Sequence, residues 1–426
     1  MKRRSLYLLA ACLLLSAALC GCGFRSAVAR EPSAPAPEAT PAPTPEPTPA
    51  PPPTATPEPT PCPHLTWTDG VCDGCGEVCT HPGWKNGCCM VCGMACSHPS
   101  HNSESRNCDW CGQTVPHTYL NGVCTMCGEK PAFINEILPR NLFTPCRHKG
   151  TVEELHYTTW DYVLSLSNPE PIRLEKKLYV YLPYGYDPAE RYDMLILLHG
   201  MGEKDTYWLV DRQDYLYPQE DFVYTTDLLD NLMEMGWCHK MIIATPTFYR
   251  YPDNMGVYNQ KLDERQFLQE LREDILPLLL AKYPTYAREA TLEAMGEARE
   301  HFGYAGLSMG SIYAYTTIMP ECLDLFGWYG CFSGSDGNMT QLAAVLNAPE
   351  NADKPICYFY NSIGTNDGMF NGHNYQYHDL VKRSDGLTDG VNACFNEIRG
   401  AKHLFTAWAT GLYNFLPVLF SLPAEQ

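Results

Sequence analysis

The segment YAGLSMGSIYAY constrains the fold of this chain more than any other, because a serine stands between two glycines where a strand-like run meets a helix-like run. A strand that turns directly into a helix leaves room only for small residues two positions before and after the turn, and Gly306 and Gly310 hold those positions around Ser308. Such a turn strains the backbone and lifts the hydroxyl above the sheet edge. The segment predicts a nucleophile at Ser308, although glycine-flanked serines also occur in ordinary turns.

From about residue 131 onward, short strand-like runs alternate with helical patterns, which predicts an α/β sheet. Between the strand-like runs, residues 264–282 place apolar side chains on one face and predict a helix, despite Pro277 near its end. The run DMLILLHG is apolar on both faces and predicts a central strand. The other runs that predict strands are KKLYVYLP, MIIATPT, HFGYAGL, LFGWYGCFSG, ICYFYNSIG and NACFNEIRG.

A serine nucleophile needs a base within hydrogen-bond reach and a carboxylate that holds the base in the right tautomer. In this type of sheet the acid and the base follow the serine in that order along the chain. Asp367, in YFYNSIGTNDGMF, lies just past a predicted strand and is the favoured acid. Asp336, in GSDG, is the alternative, and either aspartate could instead stabilise a turn.

His403 is the histidine that the chain order favours as the base. It stands in EIRGAKHLFTAW, after the last predicted strand and before an apolar helical run. His373 and His378 lie near the favoured acid, and His301 begins the strand before the serine. Because lone histidines more often pack or face solvent than act as bases, these three remain alternatives of lower rank.

The oxyanion of an acyl-transfer reaction needs hydrogen-bond donors, which backbone amides can supply. The N–H of Met309 directly follows the predicted nucleophile. The N–H of Met201, in the glycine-containing loop LLHGMGE after the central strand, is the second candidate. His199 in the same loop is predicted to be structural.

The segments GTVEELHY, YVYLPYGYD, LILLHGMGE, AGLSMGS, GTND and GAKHLFTAWATGLYNFLPVLF together resemble an esterase family. It includes feruloyl esterases, acetylxylan esterases, esterase D-like enzymes, siderophore esterases and mycolyltransferases. The resemblance covers nearly all of residues 131–423 and implies an α/β-hydrolase fold, with a mostly parallel central sheet flanked by helices. It assigns nucleophile, acid and base to Ser308, Asp367 and His403. Ser311 replaces a glycine of the family pattern, at a helix position that we expect to leave the triad untouched.

This resemblance implies a serine carboxylesterase that forms an acyl-enzyme, with feruloyl or acetyl esters on plant polysaccharides as substrates and no organic cofactor. Two other functions stay open at this point. The chain could be a cell-surface binding protein with an inactive hydrolase domain, or an acyltransferase of the same fold. Its net charge of −19, with acidic residues spread along the chain, argues against nucleic acid as a partner. The oligomeric state is not indicated.

The N-terminal residues predict export. A basic start precedes an apolar run too short to span a membrane, which is typical of a signal peptide over residues 1–21. The motif LCGC resembles a bacterial lipobox and implies cleavage before Cys22 and lipid attachment to it, although an ordinary cleaved signal is the alternative. We therefore expect a lipoprotein, anchored to the cell membrane and facing outward at the bacterial surface.

Residues 22–61 predict a disordered linker. From residue 31 onward this segment is almost wholly Pro, Ala, Thr and Glu. Such a composition offers too little apolar area to offset chain entropy, and its prolines favour an extended backbone. At about 3.1 Å per residue, a stalk of this kind would hold the following domain well away from the anchor.

Residues 62–130 predict tandem small modules, because a Cys-x-His pair followed by Cys-x-x-Cys-Gly recurs there at offsets of 17, 17 and 19 residues. A Cys-x-x-Cys turn aims two thiolates at one point, and a second pair completes a tetrahedral zinc site. Metal binding would supply the folding free energy that such short modules lack. The candidate ligands are Cys62, His64, Cys72 and Cys75; Cys79, His81, Cys89 and Cys92; Cys96, His98, Cys108 and Cys111; and His117, Cys124 and Cys127.

Other interpretations of these modules remain open. An exported protein can also form disulfides, although a histidine in register with cysteine in every copy favours a metal. The ligands could be grouped differently, for example as Cys72, Cys75, Cys79 and His81, but this leaves more residues unused at both ends. Val115 replaces the first cysteine of the fourth copy. Outside the modules, six body cysteines are predicted to be buried packing residues, with a disulfide between two of them as the alternative: Cys146, Cys238, Cys322, Cys331, Cys357 and Cys394.

Overall fold

The computed structural model describes residues 67–68, 71–73, 84–85, 88–89, 119–120, 123–124, 132–166, 170–216, 221–250 and 264–421. The predicted signal peptide, the lipidation site Cys22 and the linker over residues 22–61 lie outside these ranges. Within them, no helix has the length and apolar character needed to cross a membrane.

An eight-stranded mixed sheet forms the centre of residues 132–421. Its strands, in chain order, are β1 (Thr151–Trp160), β2 (Arg173–Leu182), β3 (Asp193–Leu198), β4 (Met241–Thr245), β5 (Phe302–Leu307), β6 (Trp328–Phe332), β7 (Tyr358–Gly364) and β8 (Ala393–Ile398). They are ordered β1-β2-β4-β3-β5-β6-β7-β8 across the sheet. Strand β2 runs antiparallel to both of its neighbours, β1 and β4. The six strands β3 to β8 are mutually parallel. The seven strands predicted from the sequence are all present, and DMLILLHG forms the interior strand β3.

The described helices of this part of the chain connect strands along the sequence, except for the last one, which follows β8. They are α1 (Thr225–Glu234), α2 (Glu264–Glu270), α3 (Leu276–Lys282), α4 (Leu292–Glu297), α5 (Met309–Tyr313), α6 (Met319–Glu321), α7 (Met339–Leu346), α8 (Phe370–Arg383) and α9 (Phe405–Phe415). Among the residues that the structure describes there are also four 3₁₀ turns, at Arg140–Phe143, Leu164–Leu166, Arg299–His301 and Pro349–Asn351.

The helix predicted over residues 264–282 is interrupted by a π-helical turn. This turn, Leu271–Ile275, separates α2 from α3, and Pro277 stands at the start of α3. Proline has no backbone N–H to donate to the carbonyl four residues earlier, so the hydrogen-bond ladder shifts before it. A second π-helical turn, Ala314–Ile318, precedes Pro320 in the same way.

Both faces of the sheet are covered by apolar side chains, and β3 illustrates the division. Met194, Ile196 and Leu198 belong to one buried cluster, together with residues of α2, α3, α5, α7 and α8. Leu195 and Leu197 belong to a second cluster, together with residues of α1 and α9. Because successive side chains of a strand point to opposite faces, a strand that is apolar throughout must be covered on both sides.

The structure also contains two strand features that the sequence patterns did not predict. Strand β1 is an edge strand in which charged and polar side chains interrupt the apolar ones, so its apolar signal is weak. A separate hairpin pairs Gln213–Leu216 with Asp221–Val223 between β3 and β4. This hairpin helps to form the cleft described below.

Three short antiparallel hairpins occur in the region predicted to hold tandem modules. They pair Trp67–Thr68 with Val71–Cys72, Trp84–Lys85 with Cys88–Cys89, and Tyr119–Leu120 with Val123–Cys124. In each hairpin an aromatic residue lies opposite the first cysteine of a Cys-x-x-Cys pair, as expected of repeated units. The remaining candidate ligands lie outside the described residues, namely Cys62, His64, Cys75, Cys79, His81, Cys92, Cys96, His98, Cys108, Cys111, His117 and Cys127.

The six cysteines of the hydrolase body are all free thiols. Cys238, Cys322 and Cys331 are buried, as predicted. The expectation of burial is wrong for the other three, because Cys146, Cys357 and Cys394 are each partly exposed.

Candidate active site

Ser308 occupies a strained turn between β5 and α5. Its backbone has φ 48° and ψ −112°, a conformation that costs a non-glycine residue about 1–3 kcal/mol. The turn is held on both sides, since the Ser308 N–H donates to the carbonyl of Phe332 at 2.8 Å and the Ser308 carbonyl accepts from the N–H of Ile312 at 2.9 Å. Neighbouring structure therefore fixes the position of the serine.

The two glycines that flank Ser308 allow this turn to close. A Cβ atom on Gly306 would lie 2.5 Å from the carbonyl carbon of Gly310, and a Cβ on Gly310 would lie 2.6 Å from the carbonyl oxygen of His199. Both distances are shorter than real Cβ contacts, and the atoms on the other side belong to the backbone. The spacing seen in the sequence is thus a direct steric requirement of the strand–turn–helix junction.

Ser308, His403 and Asp367 form a continuous chain of hydrogen bonds. Ser308 Oγ lies 3.0 Å from His403 Nε2, and His403 Nδ1 lies 2.7 Å from Asp367 Oδ2. With Nδ1–H donating to the carboxylate, Nε2 is left to accept from the serine hydroxyl, as a general base requires. The histidine side chain is 35% exposed and the aspartate side chain 1% exposed, so substrate can reach the base but not the acid.

The loops that carry His403 and Asp367 are bonded to each other. Asp367 follows β7 and His403 follows β8, and the Asn366 N–H donates to the carbonyl of Ala401 at 2.9 Å. The Gly400 N–H donates to Thr365 Oγ1 at 2.9 Å. These bonds between neighbouring loops fix the distance between acid and base.

The environment of Asp367 favours its ionised form. Burial tends to raise the pKa of this carboxyl, but hydrogen bonds from His403 and from the Met369 N–H, at 2.9 Å, lower it more, so the pKa lies below its usual value. The rival acid Asp336 is exposed and bonds the N–H of Gly337 in a turn.

The other candidate bases have partners elsewhere. His373 is buried, lies 3.0 Å from Asn361 Oδ1 through Nε2, and accepts from the Gly334 N–H through Nδ1 at 3.2 Å. Burial lowers its pKa to about 3, which keeps the ring neutral. His301 bonds the buried carboxylate of Asp193 at 2.7 Å. His378 packs against the rings of Tyr377 on α8 and Phe395 on β8.

One predicted oxyanion donor, Met309, directly follows the serine. The other, Met201, follows Gly200, which lies so close to the serine that an added Cβ atom would be 3.0 Å from the Ser308 Cβ. Met309 is the first residue of α5, where the backbone N–H has no partner within the helix. Met201 lies in the loop after β3. Buried His199 holds this loop through hydrogen bonds of 2.8 Å from Nδ1 to the carbonyl of Gly200 and between Nε2 and Thr247 Oγ1. Burial lowers the pKa of His199 to about 3, so the ring is neutral and its role is structural.

Ser311, the departure from the family pattern, does not touch the triad. Its hydroxyl donates to the carbonyl of Gly334 at 2.5 Å, in the loop that follows β6. This bond ties the nucleophile helix to the loop that packs against the backbone of Ser308.

A cleft of about 560 Å³ opens beside His403. The loop around the histidine and the start of α9 form one wall, and the segment from Glu203 to Tyr215 forms the other. Aromatic side chains line it, including those of Tyr207, Tyr215 and Trp408. The sequence analysis did not predict this cleft, because part of its lining comes from a hairpin with no clear strand pattern.

Glu203 also lines the cleft, and the sequence analysis did not single it out. Burial raises the pKa of its carboxyl, against smaller lowering effects from backbone N–H groups and from His403. Its Oε2 atom is buried and has no hydrogen-bond partner at normal distance and angle among the described residues. An acidic residue directly after the glycine-containing loop was the available signal in the sequence.

No group of three or more His, Cys, Asp or Glu side chains suited to a metal ion occurs among the described residues. Most of the Cys and His residues of the tandem modules lie outside the described residues.

No family model matches the chain. Among curated proteins, it is 30% identical over 196 residues to endo-1,4-beta-xylanase Y of Acetivibrio thermocellus, a match that covers 46% of this chain and 15% of that protein. It is also 30% identical over 248 residues to an endo-1,4-beta-xylanase/feruloyl esterase of Xylanibacter ruminicola, which covers 57% of this chain and 29% of that protein. The matched region is thus less than a third of either relative.

Two solved structures share the fold. One, described as FAE, is 25% identical with a TM-score of 0.54, and the match covers 68% of this chain and 94% of that one. The other is a serine-to-alanine mutant of the feruloyl esterase module from Clostridium thermocellum complexed with sinapinate, 24% identical with a TM-score of 0.53, covering 70% and 97%. The predicted α/β-hydrolase fold is therefore confirmed.

Proposed function

We propose that this chain is a serine carboxylesterase that works through an acyl-enzyme. The main support is the pair of hydrogen bonds that joins Ser308 Oγ to the His403 ring, at 3.0 Å, and the ring to the buried carboxylate of Asp367, at 2.7 Å. A serine hydroxyl is a weak nucleophile at neutral pH unless a base accepts its proton. This geometry supplies the base, and the bond to Asp367 holds the base in the required tautomer.

The reaction divides into two balanced halves. Ser308 Oγ attacks the ester carbonyl while its proton passes to His403 Nε2, and the N–H groups of Met201 and Met309 stabilise the oxyanion. The bond to the alcohol oxygen then breaks, and His403 gives its proton to the departing alcohol. Water attacks the acyl-enzyme in the second half, His403 takes a proton from it, and the acid leaves as the proton returns to Ser308.

The proposed substrates are feruloyl or acetyl esters on plant polysaccharides. Support comes from the resemblance of the catalytic segments to feruloyl and acetylxylan esterases. Further support comes from the relatives, which carry the names xylanase and feruloyl esterase. One solved structure that shares the fold holds sinapinate, a hydroxycinnamate.

Hydrolysis of defined esters tests this proposal. We expect the purified chain to release acid from p-nitrophenyl acetate and from feruloylated or acetylated xylan fragments, at initial rates proportional to the amount of protein. Liquid chromatography of the released acids would identify the preferred acyl group. Absence of hydrolysis on all of these esters would contradict the proposal and favour a binding protein, and acyl capture by an added sugar alcohol in preference to water would favour a transferase.

We further propose that the protein is an exported lipoprotein, attached through Cys22 to the outer face of the cell membrane and held away from it by the linker over residues 22–61. The basic start, the short apolar run and the lipobox-like LCGC support this location. An ester substrate on a polysaccharide outside the cell would suit it. Fractionation of cells into membrane and soluble material is the direct check, with recovery only in the soluble fraction as the contrary result.

The tandem modules of residues 62–130 are proposed to bind zinc. The regular Cys-x-His and Cys-x-x-Cys spacing supports this, as does the recurrence of a short hairpin with a cysteine at the same register position. We expect protein purified under reducing conditions to contain more than one zinc ion per chain, and chelation to unfold the modules. Elemental analysis and thiol titration measure this. Oxidised thiols without zinc would show that the cysteines form disulfides.

A further inference from the structure

The cleft beside His403 has a defined place in the proposed reaction. Its described lining includes His403 and the neighbouring residues Gly400 to Phe405, but not Ser308. In an acyl transfer the histidine must hand its proton to the oxygen of the departing alcohol. The alcohol half of the ester therefore lies on the histidine side of the serine, where this cleft opens.

Two residues that line the cleft each carry a buried polar atom without a hydrogen-bond partner among the residues that the structure describes. These atoms are Glu203 Oε2 and Trp408 Nε1. Trp408 is only 5% exposed. Its ring packs edge-on against the His403 ring, with 5.2 Å between the ring centroids. A buried polar group that lacks a partner is destabilising, so the free site favours a ligand that offers one hydrogen-bond donor and one acceptor.

The chemistry of these two atoms indicates the kind of ligand that would satisfy them. Glu203 Oε2 offers an acceptor site and Trp408 Nε1 is a donor only. A hydroxyl group can both donate and accept, and adjacent hydroxyls on a sugar ring can do so in two directions. The aromatic rings of Tyr207 and Tyr215 offer apolar faces in the same cleft, and Arg212 and Lys402 are exposed at its rim.

We propose that this cleft binds the alcohol half of the ester, and that Glu203 and Trp408 make the enzyme prefer a polyhydroxylated alcohol over a simple one. The inference rests on the proposed esterase function and goes beyond it, because it assigns the choice of alcohol to two residues outside the triad. Neither residue carries out a chemical step. Each acts by pairing with a hydroxyl of the bound alcohol.

Paired esters that share one acyl group test this proposal. The kcat/KM values for feruloyl arabinose and for methyl ferulate are measured with the wild-type chain and with Glu203→Gln and Trp408→Phe. Glutamine keeps the size of the side chain but replaces one acceptor with a donor, and phenylalanine keeps an aromatic ring but removes the indole N–H. We expect the ratio of the sugar-ester value to the methyl-ester value to fall by about tenfold in each variant, as the loss of one hydrogen bond predicts.

A matched control and an independent check keep the outcomes distinct. Glu350→Gln changes an exposed glutamate that does not line the cleft, and its ratio should equal the wild-type ratio. Thermal unfolding followed by circular dichroism establishes that each variant is folded. A ratio unchanged in both folded cleft variants would overturn the inference, as would equal losses on the two esters, which would place the residues in support of the triad. Failure of the wild-type chain on both esters would instead contradict the proposed function.

Discussion

Replacement of Ser308 by alanine is expected to lower kcat by about 10⁴-fold or more on every ester that the wild-type chain hydrolyses. The variant keeps the oxyanion donors and the cleft, so substrate still binds, but no side chain can form the acyl-enzyme. Loss of a triad member removes most of the catalytic advantage at once, because its members act as a unit. Initial rates with p-nitrophenyl acetate, at enzyme concentrations high enough to see the residual rate, measure the effect.

Ser311→Ala is the matched control for this prediction. Ser311 lies one turn further along the same helix, and its hydroxyl bonds the carbonyl of Gly334 and not His403. Loss of that bond is expected to cost about 1 kcal/mol of stability and to leave kcat within about tenfold of wild type. A Ser308→Ala chain that retained wild-type hydrolysis would remove Ser308 as the nucleophile. Equal losses in the two variants would point to a damaged fold.

The fold could be predicted from the sequence wherever a strand is buried on both faces. Strands β3 to β8 are short runs of mainly apolar residues, and their alternation with helical patterns indicates a parallel sheet before any coordinate is known. Edge strand β1 escaped this reasoning because Glu153, Glu154 and His156 give it a polar character. The π-helical turns escaped it as well, since helical periodicity does not show how the hydrogen bonds rearrange before a proline.

The candidate site could be predicted where chain order and local sterics restrict the choice. Ser308 follows from two glycines that the turn requires, and His403 and Asp367 follow from their places after the last two strands. The cleft could not be predicted in this way. Glu203 and Trp408 are about 200 residues apart in the sequence. Both line the cleft because Trp408 of α9 packs against Tyr207, in the segment after β3.

The adjacent lysines of β2 show a second limit of sequence reasoning. Lys176 and Lys177 are indistinguishable in the run KKLYVYLP, but neighbouring residues of a strand point to opposite faces. Lys176 Nζ is fully buried, 2.6 Å from the equally buried carboxylate of Glu270, and donates to the carbonyl of Thr247 at 3.1 Å. Lys177 lies on the other face, where it pairs at 3.0 Å with the partly exposed Glu154.

The two lysines should therefore differ sharply when each is replaced by methionine. Lys176→Met leaves the Glu270 carboxylate buried without its counter-charge, and the free energy of unfolding is expected to fall by about 3–5 kcal/mol. Lys177→Met removes only a surface pair and should cost about 1 kcal/mol or less. Denaturant unfolding, followed by near-ultraviolet circular dichroism, measures both under the same conditions. Equal losses would contradict this account of β2, because the two variants differ only in which face of the strand loses its charge.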